Sequence, residues 1–229
     1  MKYAAVTEEG LQGARIEPLY ENRFLKVYDL EYGEDRHYFE ATRRTKENLV
    51  CTMDKEAFQE MLPDAVSCCV ILLGKTEEED RILLTYEYRY PAGRFLLSVP
   101  AGLIDPEDRE KEEPLLTAAA REIGEETGIR IGENDSLAVV SPAVFTTPGM
   151  TDATNAHVLA VVDGKWSDAF SSAGAVGSEL FDGFCLLTKE EAKAVLLSGR
   201  DERGHAYSVY TWMGLTLFVT GLWKEFCRE

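Results

Sequence analysis

The stretch REIGEETGI, Arg121 to Ile129, places three glutamates within about two helical turns and stops at a glycine. Residues three and four apart share a helix face, so Glu122, Glu125 and Glu126 project toward one spot. Glu122 and Glu126 are like charges at i and i+4, which costs about 0.2–0.5 kcal/mol on an exposed helix. Two readings offset that cost. In one, Arg121 and Arg130 partly neutralise a solvated acidic face. In the other, the carboxylates gather a hard divalent cation, for which oxygen ligands are the right chemistry; Mg2+ takes one or two carboxylates and completes its sphere with water and substrate phosphates.

The segment around the glutamates reads as a helix. It begins near Pro114, because proline suits a first helical turn and LLTAAAREIGEET is strongly helix-forming. Leu116, Ala119, Ala120 and Ile123 supply an apolar stripe. Gly128 suits the left-handed residue that ends a helix, with Ile129 folding back onto the last turn.

Before the helix, FLKVYDLEY and HYFEATRRT alternate with a period of two around Gly33-Glu34-Asp35 and predict a hairpin. AVSCCVILLGK and RILLTYEYRY predict an antiparallel pair, followed by the short strand FLLSVPAGLID. The stretch PEDREKEEP, 106 to 114, is charge-dense, lacks apolar periodicity and reads as a connector. After the helix, SLAVVSPAVFTTPGM, NAHVLAVVDG and FDGFCLLT predict strands, Lys189 onward a helix, and VYTWMGLTLFVTGLWKEF a closing aromatic helix. A small-residue loop runs from Trp166 to Ser178. Many strands with helices inserted singly predict an α/β (α+β) sandwich.

The chain has 229 residues, 45% of them hydrophobic and 28% charged, enough for a substantial core and against disorder. With 41 acidic against 24 basic residues the net charge is −17, so nucleic acid and anionic membrane are unexpected partners. An anionic ligand would need local relief from that field by a cation or an arginine cluster. The five cysteines are odd in number and show no CxxC spacing, which indicates neither a disulfide framework nor a zinc site. With no signal-peptide pattern and no apolar run long enough to span a membrane, a cytoplasmic protein is expected.

REIGEETGI resembles the signature of the Nudix hydrolases, in which a glycine, a glutamate and then Arg-Glu-aliphatic-x-Glu-Glu-x-Gly-aliphatic follow at fixed spacing. Gly102 would be the leading glycine. Glu113, seven residues before Arg121, would be the earlier glutamate, ten residues after Gly102 where the family usually has five. A five-residue surface insertion accounts for the difference. The resemblance implies a Nudix fold with a mixed sheet between helices, and Mg2+, or Mn2+, as cofactor. Its metal ligands would be Glu122, Glu126, Glu125 and the Ala101 carbonyl, with Glu113 holding Arg121 and Arg121 orienting the carboxylates. Ser98, two before Pro100, departs from close relatives, which often carry a glutamate there.

The flanks YEYRYPAGRFLLSVPAGLID and SPAVFTTPGMTD are similar to stretches of ADP-ribose pyrophosphatases and related nucleoside-diphosphate-sugar hydrolases, which often read QxR before PAGLI. That similarity implies residues 1–60 as an N-terminal antiparallel sheet used for homodimerisation and 61–229 as the Nudix domain. It implies hydrolysis of a diphosphate bond, ADP-ribose giving AMP and ribose 5-phosphate. Arg89 and Arg44 would grip the diphosphate, with Arg43 a further candidate and an ion pair with Glu87 the alternative for Arg89; Ala101 and Gly102 would border the substrate. Glu179 would be the general base, with Asp182 in reserve, or else a capping residue. Phe39, Tyr88 and Tyr90 are aromatic candidates for the base or for packing, and His157 reads as structural. GDP-mannose or ADP-glucose as substrate, and a non-catalytic nucleotide sensor, are the competing readings.

Overall fold

The computed structural model describes residues 6–7, 10–11, 13–163 and 170–227. The chain divides into two compact units, residues 1–64 with 143–155 and residues 65–142 with 156–229. The return segment 143–155, left with the later part of the chain by the sequence reading, belongs to the first unit. Residues 166–169 of the small-residue loop lie outside the described residues.

In the first unit, β1 (Val6–Thr7) pairs with β2 (Gly10–Leu11). The strands β3 (Arg15–Glu21), β4 (Lys26–Gly33) and β5 (Arg36–Thr42) form an antiparallel sheet in that order. The β4–β5 hairpin is the one the alternation predicts, and Asp35 takes the left-handed turn position (φ 55°), which a short polar side chain tolerates. Ile16, Tyr28, Leu30 and Leu49 make a small core. A short helix, α1 (Lys55–Glu60), starts at Asp54, whose carboxylate accepts the Ala57 N–H at 2.8 Å.

The second unit contains β6 (Ala65–Leu72), β7 (Arg81–Arg89), β8 (Arg94–Ser98), β9 (Ala101–Leu103), α2 (Pro106–Arg109) and α3 (Pro114–Thr127). It continues through β10 (Ser136–Phe145), β11 (Thr154–Val162), β12 (Phe181–Leu187), α4 (Lys189–Ser198) and α5 (Val209–Thr220). The ends of β10 and β11 nearest their connection are counted with the first unit. The strands join into one sheet in the order β10-β11-β6-β7-β12, with β8 added to β7 and β9 to β6. It is mixed. β6 and β7 are antiparallel, whereas Leu73 N–H reaches Val162 O at 2.9 Å and Asp64 N–H reaches Thr154 O at 3.1 Å, a parallel progression between β6 and β11.

Helices cover both faces of this sheet, which is why β6 and β11 are buried almost without interruption. Val66, Cys68, Val70 and Leu83 pack against Ala118, Ala119 and Ile123 of α3. On the opposite face Cys69, Ile71, Leu84 and Leu159 pack against Val195 of α4 and Leu215 and Phe218 of α5. His157 is buried, its Nδ1 2.8 Å from the Ser67 hydroxyl, and burial pushes its pKa down to about 4, so it is a neutral structural residue. The closing aromatic segment is not one helix: α5 ends at left-handed Gly221, and a 3-10 turn follows over Leu222–Cys227. Among the described residues no helix is long and apolar enough to cross a membrane.

Gly128 ends α3 with φ 77°, and its N–H bonds Gly124 O at 3.0 Å. A Cβ there would also sit 3.3 Å from the Ser171 backbone. Gly128→Ala is therefore expected to lower stability by about 1–2 kcal/mol, the cost of forcing a side chain into the left-handed region. Urea unfolding measures this, and a variant as stable as wild type would show that the cap tolerates a side chain.

Candidate active site

The three glutamates do not form a solvated face. Glu122 and Glu126 are 5% and 2% exposed, on the side of α3 that also buries Ala119 and Ile123, while Glu125 is partly exposed. A buried ionised carboxylate needs a partner or gives up its charge. Arg121 is the partner for one of them: its Nη1 donates to Glu122 Oε1 at 2.8 Å and to Glu125 Oε2 at 3.2 Å.

The other side of the guanidinium is held by Asp108. Arg121 Nη2 and Nε donate to Asp108 Oδ2 at 2.9 and 3.2 Å, and Nη2 also donates to Leu103 O at 2.8 Å. Asp108 itself is buried in the stretch expected to be a structureless connector, which folds as α2 with a capping box between Asp105 and Asp108. Glu113, expected to hold Arg121, is the exposed residue before α3, and its side chain makes no cap hydrogen bond. The arginine anchor is thus Asp108 rather than Glu113.

Gly102 matters because it has no side chain: a Cβ built there would overlap the Glu122 carboxylate. Ala101 meets the site through its amide, which donates to Glu126 Oε1 at 3.4 Å. Glu126 Oε2 is buried without a hydrogen-bond partner. Burial, and then the Glu87 charge, push the Glu126 pKa up to about 9 against the Ala101 N–H. Burial pushes Glu122 up to about 7 despite Arg121. Among the described residues no three His, Cys, Asp or Glu side chains converge into a ready-made metal cage. The donor set has the chemistry a magnesium-like cation prefers: all oxygen, two carboxylates on one helix face, and one oxygen lacking a partner.

Other expected residues fall differently. Arg89 is half exposed at the end of β7 and pairs with Glu87 at 2.5 Å. Glu87, not singled out from the sequence beyond that pairing, is buried beside the site; the YEYRY alternation, which sets it opposite Tyr86 and Tyr88, was the available signal. Glu179 is exposed, and its carboxylate accepts the Val176 N–H at 3.0 Å, closing a turn. Its charge nonetheless acts on Glu87, Glu122 and Glu126. The loop carrying it lies against α3 at Gly174, where a Cβ would come within 2.8 Å of Glu125 Cα. Asp182 is exposed in the irregular start of β12. Arg44 is an internal residue of the first unit, donating to Asp64 at 2.8 Å and lying 3.5 Å from Asp152. Those two carboxylates, in a setting that also buries Glu40, occupy the guanidinium that the sequence reading assigned to phosphate.

Residues 61–210 match the NUDIX domain family. The chain belongs to the Nudix family. Over 101 residues it is 39% identical to an ADP-sugar pyrophosphatase of Mus musculus, covering 44% of this chain and 42% of that one. Over 100 residues it is 36% identical to an ADP-ribose pyrophosphatase of Saccharomyces cerevisiae, covering 44% and 39%. The matched region spans about two fifths of the length of these curated relatives. A crystal structure of an ADP compounds hydrolase superposes with a TM-score of 0.54 at 18% identity, over 93% of this chain and 97% of that one, which supports the fold.

Within the Nudix signature the geometry relocates the insertion. Asp108 follows Gly102 after five residues, the usual spacing, so the extra residues fall between the acid and Arg121, where α2 ends and α3 begins. Asp108→Asn is expected to weaken divalent-cation binding about 10–100-fold by releasing the arginine that orients the carboxylates, while Glu113→Gln leaves it unchanged. Calorimetric titration with Mn2+ separates the two, and the opposite ranking would return the anchor to Glu113.

A pH dependence follows from the same groups. Folded Glu126 and Glu122 hold protons up to about 9 and about 7, whereas their ordinary value is 4.5. The folded state therefore binds more protons between those limits, so their contribution to stability is full below about 4.5 and is lost as pH rises toward 9. Melting in EDTA across that range should show the decline, and Glu126→Gln, which cannot ionise, should decline less steeply. Identical slopes would remove Glu126 from the titration.

Proposed function

We propose that this Nudix chain hydrolyses the diphosphate bond of a nucleoside diphosphate sugar with a divalent cation, Mg2+ or Mn2+, and that ADP-ribose, yielding AMP and ribose 5-phosphate, is its foremost substrate. The observation that carries the reading is Glu126, a buried carboxylate with one unpartnered oxygen on the same helix face as an arginine-held Glu122. The names of the mouse and yeast relatives support the substrate class.

Glu122 and Glu126 would hold the cation, with Glu125 assisting. The bound cation supplies positive charge against the diphosphate and its transition state. Arg121, fixed between Asp108 and Glu122, keeps the carboxylates oriented. Arg89 extends a half-exposed guanidinium suited to bidentate contact with phosphate oxygens. Glu179 is the candidate to accept the proton of the attacking water, because its loop rests on α3 and its carboxylate stands in the field of Glu122 and Glu126. The exposed Leu19 and Phe39 of the N-terminal sheet, with Phe24 in its β3–β4 connection, support homodimerisation through that sheet, and the free cysteines suit a cytoplasmic setting.

The test is product release from ADP-ribose, ADP-glucose, GDP-mannose, NADH and diadenosine polyphosphates, with Mg2+ and with EDTA. Turnover should require the cation and favour ADP-ribose, and Glu122→Gln and Glu126→Gln should each lower kcat by about 10²–10⁴-fold, comparable to losing a positioned catalytic group. Saturable binding without turnover would instead identify a sensor.

A further inference from the structure

The face of the sheet away from α3 carries a cavity of its own. Its volume is about 470 Å3, within the roughly 300–1,000 Å3 of sites that hold small organic molecules. The floor is Tyr86 of β7 with Cys185 and Leu187 of β12, all part of the apolar layer that α4 and α5 cover. One wall is Glu191, Ala194, Val195 and Ser198, spaced i, i+3, i+4 and i+7 and therefore a single stripe of α4. The apolar side of α3 packs on the other face of the sheet, so this cavity is separate from the glutamate site.

The opposite wall is the turn Arg200–Arg203. It is built rather than loose: α4 stops at left-handed Gly199, and the Asp201 N–H then bonds His205 O at 3.1 Å while the Gly204 N–H bonds Asp201 O at 3.0 Å. The Asp201 carboxylate accepts the His205 N–H at 2.7 Å. The Leu97 N–H bonds Ala206 O at 2.9 Å, which ties the end of the turn to β8.

The charged groups around the cavity are unequally engaged. Asp201 is occupied by His205, whose Nδ1 also lies 3.2 Å from its second oxygen, and Glu191 accepts both the Thr188 N–H and the Thr188 hydroxyl at 2.8 Å in the cap of α4. Among the described residues the guanidiniums of Arg200 and Arg203 pair with no acid, and that of Arg203 lies 4.9 Å over the Tyr86 ring. Against these two free cations stands one exposed acid without an ion pair, Glu202. The acceptors are mostly spent inside the protein, and the donors face the cavity's mouth unspent.

We propose that this cavity is a binding site for a small organic anion with a flat apolar body, an aromatic carboxylate in its simplest form. The body would lie against Leu187 and Val195, and the carboxylate would meet the guanidiniums of Arg200 and Arg203. The proposal goes beyond the hydrolase reading and does not depend on it.

Calorimetric titration of the full chain with 2-naphthoate in EDTA, and with the neutral 2-naphthamide as the matched control, tests it. Wild type should bind one equivalent of 2-naphthoate and bind it more tightly than the amide. Replacing both arginines, Arg200→Gln with Arg203→Gln, should raise the Kd for 2-naphthoate about tenfold and leave that for the amide unchanged, whereas Glu202→Gln should lower the Kd for 2-naphthoate about twofold. Ala194→Trp, at an exposed position of α4 that faces the cavity, should abolish binding of both compounds by filling it. Melting curves establish that each variant folds; if Ala194→Trp does not, the double arginine variant decides. Absence of 2-naphthoate binding, equal affinity for acid and amide, or wild-type binding in the folded Ala194→Trp or double arginine variant would overturn the proposal, and none of these results bears on the cation site of α3.

Discussion

The site depends on one guanidinium. Glu122 enters an interior that penalises charge, and Arg121 is what makes its ionised form tolerable there. The arginine can do this only because Asp108 and the Leu103 carbonyl hold its far side. A planar fork with five donors suits that task, since it can bond acids on two sides at once, which a lysine ammonium does with less geometric definition. Glu126, one helical turn further on, receives only a long bond from the Ala101 amide. The division leaves one carboxylate oriented by the guanidinium and the other with one oxygen that has no hydrogen-bond partner.

Much of this was legible in the sequence. The helix, its proline start and glycine stop, the strands on either side and the gathering of three glutamates all follow from local rules that the structure obeys. The anchor did not follow. Glu113 has the expected letter and the expected distance from Arg121, but it sits on the exposed approach to α3. Asp108 has the expected distance from Gly102, and the Asp105-to-Asp108 capping box announces a short helix there. An insertion can fall on either side of the acid, and only packing decides which side.

Arg44 shows a different limit. Nothing within a few residues of it in the sequence distinguishes a phosphate-binding arginine from one that neutralises Asp64 and Asp152, because both acids arrive from distant segments. Glu87 is the converse case, an acid at a strand end that looks polar in sequence and is buried where β8 and β12 pair on either side of it. Strand alternation indicates which face a residue shares but not what will cover that face.

The electrostatics then constrain the chemistry. A chain of net charge −17 adds its field to a place where Glu122 and Glu126 are already buried one turn apart, with the charges of Glu125 and Glu87 acting on them. Arg121 offers little help, since its donors are occupied by acids of the protein and by Leu103. Arg89 offers one charge, already shared with Glu87. The side chains at the site therefore leave a deficit of positive charge, and the acids that create the deficit are the oxygen donors a hard divalent cation prefers. On the proposed function, such an arrangement would tie the binding of an anionic ligand to cation occupancy, because carboxylates that repel an anion alone would draw it in once they held the cation.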